Sequence, residues 1–78
     1  MNNAPIYIKM ISKGLTLKAL SETSGVATAT IRGWFRAART PGAVPMSKVT
    51  TVLCETQTDR EALIAEQVRW MAERSVNP

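Results

Sequence analysis

Leu17-Lys-Ala-Leu-Ser-Glu-Thr-Ser-Gly-Val-Ala-Thr-Ala-Thr-Ile-Arg-Gly-Trp-Phe-Arg36 carries two helical signals on either side of a single glycine. Leu17, Leu20 and Ser24 stand at i, i+3 and i+7, so a helix from Leu17 to about Thr23 turns one largely apolar edge inward. Thr16 is placed to cap it, its hydroxyl accepting from a first-turn N–H, with Leu15 and Leu20 spaced as a hydrophobic staple. Gly25 stops the helix, because glycine enters the left-handed region without a Cβ clash. Val26 is set to tuck into the angle between the helices. The second helix, from about Thr28 to Phe35, is expected to bury Ile31 and Trp34 and to turn Thr28, Ala29, Arg32, Gly33 and Arg36 outward. Two short helices about a tight glycine turn form a helix-turn-helix, a unit able to lay one helix in the major groove of a duplex.

Residues 15 to 55 resemble the helix-turn-helix core of the lambda-repressor and Cro-like family, with Leu20, Ser21, Gly25, Val26 and Ile31 at the pattern's apolar, small, glycine and apolar positions. Ser21 stands where that family usually has alanine. Ala27 stands where it often has a capping serine or threonine, a role that Thr28 is expected to take. Within the family, the short phage regulators of the Ner type have a similar size and a similar run to a fourth helix near Val49 to Glu55. The resemblance implies an all-α bundle of about five short helices and a double-stranded DNA partner.

Around the motif, Arg36-Ala-Ala-Arg-Thr-Pro-Gly-Ala-Val-Pro45 reads as a loop, and Pro45 suits the first turn of the next helix. Val49, Val52 and Leu53 with Cys54 make that helix amphipathic and able to close the core over Leu20 and Ile31. Upstream, Pro5-Ile-Tyr-Ile-Lys-Met-Ile11 has the branched residues of a strand. A helix ending at Gly14 is nevertheless expected, since the motif usually follows one that packs on Leu20. Downstream, Thr58-Asp-Arg-Glu61 fits a capping box for a helix reaching about Arg74. Leu63, Ile64, Val68, Trp70 and Met71, with Ala65 and Ala72, cover more of its circumference than one small core requires. Either they complete the core or they form a homodimer interface, and the second is expected because paired recognition helices read a two-fold site. The division is thus 1–57, a DNA-binding core, and 58–78, a C-terminal helix and tail, within one structural domain.

The chain has 78 residues and a formal charge of +4. Residues 1–45 hold Lys9, Lys13, Lys18, Arg32, Arg36 and Arg39 against Glu22 alone, while residues 46–78 are close to neutral. The excess positive charge therefore coincides with the motif, as phosphate contact requires. Thr28, Ala29, Arg32, Gly33 and Arg36 are the expected base-facing positions, and Arg32 is the candidate for a bidentate guanine contact. Lys13, Thr16, Lys18 and Arg39 are the expected phosphate contacts. Histidine is absent and Cys54 is the lone cysteine, so a zinc cluster, an intrachain disulfide and an activated thiolate are not expected. Cys54 reads as a small core residue. With no paired carboxylates of catalytic spacing, no enzyme, cofactor or small-molecule ligand is expected. Without a signal-like start or an apolar run of membrane length, a cytoplasmic protein is expected. The combined expectation is a repressor-like regulator of phage or mobile-element type. Its alternatives are an excisionase-like accessory protein that bends DNA, and an adaptor that uses the motif only as a scaffold.

Overall fold

The computed structural model describes residues 3–38 and 42–75. Within them the chain is all-α, with five helices: α1 (Pro5–Ser12), α2 (Leu17–Ser24), α3 (Thr28–Phe35), α4 (Ala43–Leu53) and α5 (Gln57–Ser75). Helix α2 packs on α3 and α4, α4 on α5, and α5 also on α1. The Cα radius of gyration is 11.5 Å.

Each helix end has a local cause. Pro5 opens α1, where its missing N–H leaves no helical bond unmade. The segment with strand-like composition is therefore helical, because the prolyl start and a glycine stop confine it to two turns. At that stop Gly14 has φ 71°, Leu15 N–H donates to Met10 O at 3.1 Å and Gly14 N–H donates to Ile11 O at 2.9 Å. These paired bonds are a Schellman motif. Thr16 Oγ1 accepts from Ala19 N at 3.1 Å as the N-cap of α2, and Gly25 closes that helix at φ 76°. The end of α3 repeats the Schellman pattern without a glycine. Ala38 N–H donates to Gly33 O at 2.8 Å and Ala37 N–H to Trp34 O at 3.2 Å, with Ala37 at φ 55°.

Three expected boundaries move. The N-cap of α3 is Ala27, with no side-chain hydrogen bond, and Thr28 is already in the first turn, so Thr28 does not cap. Helix α4 begins at Ala43, within the segment read as loop, with Pro45 in its first turn. The cap of α5 is Thr56 rather than Thr58: Asp59 N donates to Thr56 Oγ1 at 3.1 Å and Arg60 N to Thr56 O at 3.0 Å. Glu61, expected to reach back to the cap, instead accepts from Gln57 Nε2 at 2.9 Å. Both threonines are followed at the third position by an acid, and the helix starts from the first, with Arg60 donating to Cys54 O at 3.4 Å.

The core is built from Ile6 and Met10 of α1, Leu20 of α2, Val26 of the turn, Ile31, Trp34 and Phe35 of α3, and Met46, Val49 and Leu53 of α4. Leu63 and Met71 of α5 complete it, and Cys54 is buried just past α4. Tyr7 meets Phe35 edge to face, with ring centroids 5.2 Å apart. The fully buried Gln67 lies between Leu63 and Met71 on the inward line of α5. Its Oε1 accepts from Ile6 N at 3.0 Å and its Nε2 donates to Trp34 O at 3.1 Å. One amide thus satisfies an orphan donor in the first turn of α1 and a carbonyl in the last turn of α3, fastening both helices to α5.

This packing corrects the expected dimer surface. Leu63 and Met71, at 6% and 7% exposure, are core residues and are not available to a second copy. Ile64 and Trp70 are half-buried against the same core, and Val68 is exposed at 43%. A helix wheel overestimated the free surface because α5 lies in a groove contacted by both α1 and α4, which covers a wider arc than a single neighbour does.

Candidate nucleic-acid interface

The turn between α2 and α3 is held by short-range bonds. Ser21 Oγ donates to Val26 O at 2.6 Å, and Ser24 Oγ accepts from Val26 N at 3.2 Å. The small residue of α2 therefore does more than permit close approach: its hydroxyl satisfies the turn carbonyl and fixes Val26 in its buried position. With Ile31, Trp34 and Phe35 inward, α3 cannot rotate about its axis without exposing core. Its outward face is fixed in consequence.

On that face Thr28, Ala29, Arg32 and Arg36 are all exposed. Gly33 is not. It is buried, and the left-handed reversal at Ala37 brings Ala38 back to its carbonyl, so the expectation that Gly33 faces outward is corrected. A backbone position without a side chain is readily covered by a returning chain, and a wheel does not register this. Lys13, Thr16 and Lys18 are exposed at the end of α1 and the start of α2. Thr16 Oγ1 accepts the cap bond with one lone pair, and a hydroxyl that accepts can also donate its O–H. Arg39 lies outside the described residues.

Lys13, Lys18, Arg32 and Arg36 are thus exposed cations on the segment from the end of α1 to the end of α3, with Glu22 the one acid in that segment. Five further acids fall in residues 55–73, on or just before α5. The excess of positive charge therefore lies on α2, α3 and their flanks, while on α5 the acids are nearly balanced by Arg60, Arg69 and Arg74. Among the described residues no group of three or more metal-binding side chains is assembled, and no helix is long and apolar enough to cross a membrane. Compared with known proteins, the chain matches no family model, no curated protein and no solved structure.

The functional residues that sequence reasoning missed are supporting ones. The pattern marks Ser21 only as a small residue, and nothing in it marks Gln67. A glutamine at i+4 from one core leucine and i−4 from a core methionine is the available signal, since solvent-facing polar residues seldom share that line.

Proposed function

We propose that this protein is a sequence-specific regulator of transcription that binds double-stranded DNA by laying α3 in the major groove. The observation that carries the reading is the division of α3 into a buried Ile31, Trp34 and Phe35 face and an exposed Thr28, Ala29, Arg32 and Arg36 face, held against a capped α2 through Gly25. Arg32 donates a bidentate pair to guanine O6 and N7, worth about 1–3 kcal/mol of discrimination. Thr28 and Ala29 offer methyl groups to thymine. Lys13, Lys18 and the Thr16 hydroxyl meet phosphates, which set register and affinity without reading sequence. Binding requires no cofactor and makes or breaks no covalent bond. Two copies present their α3 helices to half-sites about 34 Å apart.

The test is a salt titration of binding to mixed genomic fragments, with the retained DNA sequenced at each step. A few fragments sharing a two-fold repeat and retained at the highest salt are the expected result. Loss of all DNA at moderate salt with no enriched sequence overturns the reading.

A further inference from the structure

Val26 stands between the left-handed stop of α2 at Gly25 and the N-cap of α3 at Ala27, and both of its backbone groups are held from α2. Its N–H donates to Ser24 Oγ at 3.2 Å, and its carbonyl accepts from Ser21 Oγ at 2.6 Å. Helical bonding in α3 begins one residue later, where Ala27 O accepts from Thr30 N at 3.1 Å and from Ile31 N at 3.2 Å. Ala27 brings no side-chain hydrogen bond to that start. Helix α3 therefore begins without a side-chain cap of its own, directly after a residue pinned to its neighbour. Ser21 also gives its own carbonyl to Gly25 N–H at 2.9 Å, so one residue of α2 bonds to two successive residues of the turn.

We propose that Ser21 is a positioning residue for sequence reading: its hydroxyl, seconded by that of Ser24, sets the angle at which α3 leaves α2. The inference rests on the DNA-binding reading of the same face. Packing of Ile31, Trp34 and Phe35 stops α3 from turning about its axis, but apolar contacts have no direction and leave the first turn free to tilt. A hydrogen bond is directional, and this one is part-buried, where water competes less. It lies within three residues of Thr28 and Ala29, which are exposed at the pinned end of α3. The two kinds of DNA contact differ in what they tolerate. A bidentate arginine pair needs both donors in place at once, whereas lysine reaches a phosphate as a point charge on a flexible stem. A tilted α3 therefore loses base discrimination before it loses phosphate affinity.

The experiment compares Ser21→Ala with Thr56→Ala, which removes a hydroxyl cap at the start of α5, in full chains shown by urea unfolding to be folded under the assay conditions. The probes are the genomic fragment retained at the highest salt and a random-sequence duplex of the same length. Ser21→Ala is expected to lower the ratio of the two affinities about fivefold, the scale of one net hydrogen bond. Its salt slope stays that of wild type, because no phosphate contact is removed. Ser24→Ala shifts the ratio in the same direction by less, its bond being the longer of the two. Thr56→Ala loses stability and leaves the ratio unchanged, which separates positioning from a general loss of structure. A second readout uses no DNA. Residual dipolar couplings of the α2 and α3 amides are expected to fit one rigid orientation in wild type and Thr56→Ala, and to depart from it in α3 in Ser21→Ala. An unchanged ratio in folded Ser21→Ala, an equal fall in Thr56→Ala, or couplings that still fit one orientation overturns the proposal. A wild-type chain that selects no DNA removes the regulator reading by itself, and the couplings then decide alone whether Ser21 orients α3.

Discussion

Gln67 carries more of the architecture than any other polar side chain described. Its two bonds reach 61 residues back to Ile6 and 33 back to Trp34. Replacement by leucine keeps the volume but strands the Ile6 N–H in the core, at a cost of about 1–3 kcal/mol. Trp34 O loses less, because Ala37 N–H still donates to it. Urea unfolding is expected to show the loss as a lower midpoint with an unchanged slope. Gln67→Glu retains the acceptor for Ile6 but sets a carboxylate oxygen against a carbonyl. Burial and that carbonyl favour the protonated acid, so the variant is destabilised above the unfolded carboxyl range and recovers relative to wild type as pH falls through the raised folded value. A deficit that does not vary with pH would contradict the bonding described. On the proposed DNA face, Arg32→Ala is expected to lower affinity mainly for the selected sequence. Lys18→Ala lowers cognate and random affinity alike and reduces the salt slope by roughly one. Equal losses on both DNAs for Arg32→Ala would remove it from base reading.

Among the helices, α2 is the most legible. Thr16 and Gly25 each act on backbone groups no more than four residues away, and Leu20 is buried on the inward edge between them, so cap, apolar edge and left-handed stop could be read locally. The start of α5 is the contrary case. Thr56 and Thr58 are two residues apart, both followed at the third position by an acid, and local pattern does not separate them. In the fold Thr56 takes the role, two residues after the buried Cys54, and Arg60 in the first turn donates to the Cys54 carbonyl at 3.4 Å. Thr56→Ala is therefore expected to cost about 1 kcal/mol in thermal or urea unfolding, with Thr58→Ala within about 0.5 kcal/mol of wild type. The reverse order would place the cap at Thr58. The end of α3 escaped reading for a related reason. An alanine at φ 55° has no compositional mark, whereas Gly14 in the same motif at the end of α1 announces itself.

The molecule as a whole depends on α5. Leu63, Gln67 and Met71 cover a core to which the first four helices all contribute, so the segment from residue 58 is part of one stability unit with the helices before it. A chain ending at residue 56 would expose Ile6 and leave its N–H and Trp34 O without the glutamine. It is expected to lack a cooperative thermal transition, checked by circular dichroism and calorimetry. A truncated chain that melts cooperatively near the wild-type temperature would show that α1 to α4 fold alone. The sequence was sufficient for the all-α class, the helix-turn-helix and the outward placement of Thr28, Ala29, Arg32 and Arg36, because capping, glycine stops and helical periodicity act over a few neighbouring residues. It was not sufficient for the burial of Gly33, the inward turn of Leu63 and Met71, or the role of Gln67. Those depend on which distant segments share a surface, and a side chain's environment there is set by partners tens of residues away that no local period encodes.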